Sequence, residues 1–245
     1  MRYFIHFSYD GTGYHGWQVQ SGALTVQECL QQALSTLLRR SIEVVGAGRT
    51  DAGVHAKHMV AHLDIEENLS DEDLRQLTYR LNKILPRDIA VSHIQHVADD
   101  QHARFSATAR TYHYFVHTHK DPFLRAYSWQ LYGNIDFLRM NEAASVLTDY
   151  EDFTSFSKVN TDTKTNICHI QYARWEEQEP GVWRFEIKAN RFLRNMVRAI
   201  VGTLLEVGRG RMTIEDFRRV IEQKDRCQAG ESVPGNALFL VRVEY

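Results

Sequence analysis

The residues best able to do chemistry lie in the glycine-rich run "GAGRTDAGVHA" at 46 to 56, where Arg49 and Asp51 stand two positions apart among Gly46, Gly48 and Gly53. A loop of this kind exposes a carboxylate without crowding it. A nearby arginine keeps the carboxylate ionised or holds a phosphate. An Asp in a Gly-rich turn is equally a common local acceptor for backbone N–H groups. A second run, "DGTGYHG" at 10 to 16, follows the alternating "RYFIHFSY" and contains a literal G-x-G-x-x-G. The dinucleotide fingerprint needs its last glycine to open a helix, with an acidic residue about twenty positions on. Here no helix signal occurs before Thr25, so these glycines are read as a loop whose backbone turns sharply or approaches something closely.

His55, His58 and His62 would share a face of a helix and suggest a metal site. However, "HMVAHLD" reads as a strand, which puts His55 on the opposite face from the other two, and the H-E-x-x-H pattern is missing. Neither a nucleophile elbow G-x-S-x-G nor a Walker A loop is found. Cys29, Cys168 and Cys227 are odd in number and far apart, which argues against a disulfide framework or a cysteine zinc site.

The elements that must position these residues follow from periodicity. Residues 2 to 9 alternate as a strand, and Thr25 with Glu28 forms a capping box for a helix carrying Val26, Leu30, Leu34, Leu37 and Leu38. "IEVV" (42 to 45) and "HMVAHLD" (58 to 64) read as strands. Ser70 caps a second helix with acidic residues in its first turn, Pro86 ends it, and 89 to 97 alternates as a strand. The second half repeats the pattern: a strand at 109 to 118, a helix near 137 to 147, a hairpin from 166 to 189 turning at Pro180-Gly181, helices at about 192 to 207 and 213 to 223, and a last strand "ALFLVRVEY". Residues 119 to 135 read as a long irregular loop. Two β-α-β-β-α-β units predict an α+β fold of two ferredoxin-like (RRM-like) lobes, residues 1–105 and 106–245, forming a broad, mainly antiparallel sheet with a central cleft.

The 245 residues are 43% hydrophobic and 24% charged, an ordinary globular composition. No apolar run approaches membrane-spanning length, and the chain enters a strand at once rather than a signal peptide, so a cytoplasmic protein without a membrane partner is expected. The net charge of -2 does not announce a polyanion partner, yet residues 184 to 211 hold seven Lys or Arg against two Glu. Clustered positive charge binds phosphate whatever the global total, though it also suits a solvated face.

The blocks "RYFIHFSYDGTGYHGWQVQ", "GAGRTDAGVHA", "FSATARTYHYFV", "NRFLRNMVRAIVGTLLEVGRG" and "ALFLVRVEY" together resemble the tRNA pseudouridine synthase A family, in the same order and along essentially the whole chain. The resemblance implies an isomerase that converts uridines at positions 38, 39 and 40 of the tRNA anticodon arm to pseudouridine, with no cofactor and no metal. It makes Asp51 the nucleophile, which suits the chemistry: glycoside hydrolysis uses two carboxylates, whereas an isomerase keeps its leaving group and needs no second one to activate water. By the same resemblance Arg49 contacts RNA phosphate and helps hold the flipped nucleotide. Tyr112 stacks on the uracil or takes part in proton transfer, Arg198 orients Asp51, and Leu238 forms an apolar wall under the base. At that wall the chain departs from the family's G-L-x-L, reading Ala237-Leu238-Phe239-Leu240. Arg104, Arg110 and Arg194 become candidates for a phosphate track, "DGTGYHG" an RNA-facing or site-flanking loop, and the protein a homodimer. Two other readings, a silent RNA-binding module and a histidine metal hydrolase, predict respectively tRNA binding without catalysis and activity that chelation abolishes.

Overall fold

Tyr3, Ile5, Phe7 and Tyr9 recur at every second position and are all buried, and Phe4 and His6 between them are buried as well, so both faces of the strand are covered over 3–7. In the computed structural model, which describes residues 1–158 and 164–245, they lie on β1 (Arg2–Tyr9). The chain forms two units, Met1–Thr108 with Leu240–Tyr245, and Ala109–Phe239.

In the first unit β1 is followed by α1 (Val26–Leu38), β2 (Val45–Gly46), β3 (His55–Asp64), α2 (Asp71–Ile84) and β4 (Ile89–Val97). β1 pairs antiparallel with both β3 and β4, and β2 antiparallel with β3. Thr25 caps α1 by accepting from the Glu28 N–H, and Ser70 and Asp73 close a reciprocal capping box on α2. α2 stops at Leu85, which is extended because it precedes Pro86. The strand expected over 42–45 is only partly formed, since β2 covers Val45 and Gly46. Side chains of α1 take the backbone groups that a ladder would have used: Ser35 Oγ accepts from the Ile42 N–H, Gln31 Oε1 from the Val44 N–H, and Gln27 donates to the Val44 carbonyl.

The second unit runs β5 (Ala109–His117), β6 (Trp129–Gln130), α3 (Phe137–Ser145), β7 (Ile170–Glu179), β8 (Val182–Ala189), α4 (Met196–Gly208) and α5 (Ile214–Glu222). β8 lies antiparallel between β5 and β7, and the 119–135 loop contributes the two-residue β6, parallel to β5. The β7–β8 turn holds Gly181 at φ +77°, a conformation that favours glycine. α4 starts at Met196 rather than near 192, because Asn195 immediately before it takes a left-handed φ of 67°. Every residue of α4 except Arg198 and Glu206 is buried, which makes it the central helix of its unit. The last strand, β9 (Leu238–Glu244), follows a 3-10 turn at Gly235–Ala237, and its residues from Leu240 onward belong to the first unit, where the strand lies beside β3. The chain is thus α+β with mainly antiparallel strands. No helix among the described residues is long and apolar enough to cross a membrane.

Candidate active site

Asp51 sits in the first unit on the loop between β2 and β3, half-buried, with exposed Arg49 two residues before it. The loop is held from beneath. Val54 N–H bonds to the Asp51 carbonyl at 3.1 Å, closing a turn around Gly53, whose φ is +75°. Thr50, itself buried, places its hydroxyl 2.8 Å from the Tyr9 hydroxyl at the end of β1.

The "DGTGYHG" loop is the other half of this support. Trp17 N–H donates to the Thr50 carbonyl and Gly53 N–H to the Tyr14 carbonyl, both at 3.2 Å. The two backbones meet so closely that a Cβ on Gly11 would stand 2.0 Å from the Val54 oxygen, and one on Gly16 2.3 Å from the Thr50 oxygen. Gly16 also has φ +89°. A Cβ on Gly13, by contrast, would meet nothing within 4 Å. His55 Nδ1 lies 3.0 Å from both the Asp10 carboxylate and the Gly11 N–H; unprotonated it accepts from Gly11, protonated it donates to Asp10. Tyr14 is anchored at its far end, its hydroxyl donating to Asp88 at 2.6 Å, and burial pushes that phenol well above the ordinary tyrosine range. The two glycine-rich runs therefore form one braced assembly that presents Asp51.

The second unit holds the other residues singled out by sequence. Tyr112 is buried on β5, its ring edge-on to Phe192 with centroids 5.1 Å apart. Arg198, the one cation on apolar α4, donates through Nε to the Val233 carbonyl at 2.7 Å, as a half-buried guanidinium must find a partner. Leu238 is buried at the start of β9. The Ala237 that replaces the family's glycine lies in the 3-10 turn without a positive φ, so its Cβ is accommodated at no backbone cost. Arg110 is buried and bonded through Nη1 to the Asn190 carbonyl, whereas Arg104, in the first unit, and Arg194, in the second, are exposed.

The model of a family described as tRNA pseudouridine synthase matches residues 5–106 and 143–245. The chain belongs to the tRNA pseudouridine synthase family. A Bacteroides thetaiotaomicron protein called tRNA pseudouridine synthase A is 63% identical over 100% of this chain and 90% of its own length. A protein of that name from Parabacteroides distasonis is 59% identical over 100% and 96%, and one from a Thermoanaerobacter species 39% identical over 98% of each chain. As a tRNA pseudouridine synthase family member the protein is an isomerase.

For a family whose members are named for tRNA, the 184–211 stretch is less basic in the fold than in the sequence. Arg184 is paired with Glu176 and Glu186, and both Arg209 and Arg211 with Glu206. Among the described residues no group of three or more His, Cys, Asp or Glu is arranged to hold a metal ion. The three histidines have separate partners, His55 at the Asp10 loop, His58 at His6 and His62 at the Ala103 N–H, and the register of β3 against β1 shifts between Ala56 and Met59, so strand alternation does not carry from His55 to His58. Sequence reasoning did not single out Tyr9, Thr50, Gly11 or Gly16 as supports of Asp51. The glycines were visible, but what they approach is about forty residues away along the chain.

Proposed function

We propose that this protein isomerises uridine to pseudouridine in the anticodon arm of tRNA, at positions 38, 39 and 40, with Asp51 as the nucleophile and the target base flipped out of its stack. The observation that carries the reading is the braced Asp51 loop: a half-buried carboxylate on a backbone fixed at Thr50, Gly53 and Val54 can meet a flipped nucleoside without reorganising. The reaction breaks the bond from N1 of uracil to C1' of ribose and makes one from C5 to C1'. The C5 proton is released and N1 ends protonated. One carboxylate suffices because the leaving uracil is also the group that returns.

In this reading Arg49, exposed beside Asp51, contacts phosphate near the flipped nucleotide. Arg104 and Arg194 contact phosphates elsewhere, which positions the tRNA without reading its sequence. Tyr112, Leu238 and Arg198 take the roles that the resemblance implies: base stacking or proton transfer, an apolar wall, and orientation of Asp51. Each unit is read as a ferredoxin-like lobe, which the 4-1-3-2 order of β4, β1, β3 and β2 supports in the first. Three unpaired cysteines suit a reducing cytoplasm. A homodimer is expected, and sedimentation equilibrium at micromolar concentration should return twice the chain mass; a monomer would reject it.

The decisive assay is tritium release from tRNA transcribed with [5-3H]uridine in its anticodon arm. Wild type should release tritium in excess EDTA, and Asp51→Ala should release none while still binding tRNA. Binding without release by wild type would reject the isomerase reading. Undiminished release by the variant would remove Asp51 from the mechanism.

A further inference from the structure

The direction of the Arg198 side chain is set by a segment remote from it in sequence. After α5 the chain makes a short 3-10 turn at Arg226–Gln228 and then crosses α4 at very close range. A Cβ on Gly202 would stand 1.8 Å from the Glu231 oxygen, so only glycine permits the crossing there. One residue on, Thr203 Oγ1 accepts from the Gly230 N–H at 2.9 Å. The segment then closes on Arg198 from both sides: Val233 N–H donates to the Arg198 carbonyl at 3.3 Å, and Arg198 Nε donates to the Val233 carbonyl at 2.7 Å. With Nε held, the planar guanidinium can point its terminal nitrogens in one direction only.

What folds this segment is a residue that no motif singled out. Half-buried Arg226 donates through Nη1 to the carbonyls of Ala229 (3.3 Å) and Gly230 (3.2 Å), and through Nη2 to Ser232 Oγ (2.9 Å). Ser232 Oγ is also bonded to Asn195, the left-handed residue that opens α4. Arg226 thereby gathers three of the four residues 229–232, all but Glu231, and Val233 follows directly.

We infer that Arg226 is a positioning residue for Arg198, acting through the 229–233 crossing; its effect on the reaction rests on the function proposed above. Arg226→Ala should lower kcat for tritium release by about tenfold, the scale of a small misplacement of a reacting group, while KM stays within about twofold. Arg226→Lys, which keeps a cation and some of the donors, should recover part of the loss. In an Arg198→Ala background the same substitution should add nothing further, because both act through one group. A readout independent of activity is the Nε–H resonance of Arg198, expected to be slow in solvent exchange in wild type and fast in Arg226→Ala.

An unchanged kcat, a loss confined to KM, or an equal loss in both backgrounds would overturn the inference, as would an Arg198 Nε–H that stays protected in the variant. If Arg226→Ala does not fold, Thr203→Val, which removes the acceptor for Gly230 at nearly constant shape, carries the same kcat and exchange measurements. Absence of tritium release from wild type would instead reject the proposed function, and the exchange measurement would still decide the positioning role.

Discussion

Gly16 and Gly13 belong to the same short motif yet differ in what surrounds them. Gly16 combines a left-handed backbone with an approach to the Thr50 carbonyl that no Cβ permits; Gly13 has open space and no positive φ. Gly16→Ala should therefore destabilise the protein by more than about 1 kcal/mol, from the left-handed backbone alone, and lower tritium release by about tenfold or more through displacement of the Asp51 loop. Gly13→Ala should unfold at nearly the wild-type urea midpoint. A dinucleotide site would make both glycines indispensable to a bound nucleotide, whereas a brace makes only Gly16 indispensable to the fold. Equal urea midpoints for the two variants would sink the brace.

At the scale of elements, the strands of the first unit carry an imidazole network. His6 on β1 faces His93 on β4, ring centroids 4.1 Å apart, and its Nδ1 lies 3.0 Å from His58 Nε2 on β3. The Gln95 amide meets its other nitrogen at 3.2 Å, and Val243 N–H donates to His58 Nδ1. Burial, with His93 and His58 adding to it, pulls His6 down to about 4; burial, with Arg2 and His102, does the same to His62. The folded state thus refuses a proton that the unfolded chain accepts near pH ~6.5. The stabilisation is complete above that pH and is lost progressively as pH falls from about 6.5 towards 4. The thermal midpoint should drop over this window, above the range where the ion-paired carboxylates Asp64 and Asp152 titrate. His6→Gln should flatten the drop; an identical slope in the variant would remove His6 as its source.

At the scale of the whole chain, the first unit is closed by residues far apart in sequence. Leu240 and Val243 are buried, Glu244 accepts from the Thr108 N–H, Tyr245 donates to the Ala103 carbonyl, and its ring lies 4.9 Å from that of Phe4. The first unit therefore includes residues more than a hundred positions away along the chain. Deleting 240–245 should cost at least about 3 kcal/mol, from two buried aliphatic side chains at roughly 1.5 kcal/mol or more each, and should lower the urea midpoint. A midpoint unchanged by the deletion would show that Met1–Thr108 needs no closing strand.

Much of this was determined by the sequence alone. Caps at Thr25 and Ser70, alternation along β1 and β4, and the Pro86 stop are local signals, and each reports an element within a few residues of itself. Arg49, Asp51 and Arg198 were legible as chemical residues because their types are conspicuous among glycines or on an apolar helix, whereas Tyr112, on a strand, stood out only through the family resemblance. Tertiary structure decided what supports them. The residues that fix Asp51 and Arg198 do so through backbone carbonyls and missing Cβ atoms: Gly16 against Thr50, Gly202 under Glu231, Arg226 around the 229–232 turn. A carbonyl oxygen is the same in every residue, so its partner is set only when distant segments are brought together. For the same reason the shortening of β2, where α1 side chains claim the 42–44 backbone, could not be read from the β-forming residues of that stretch.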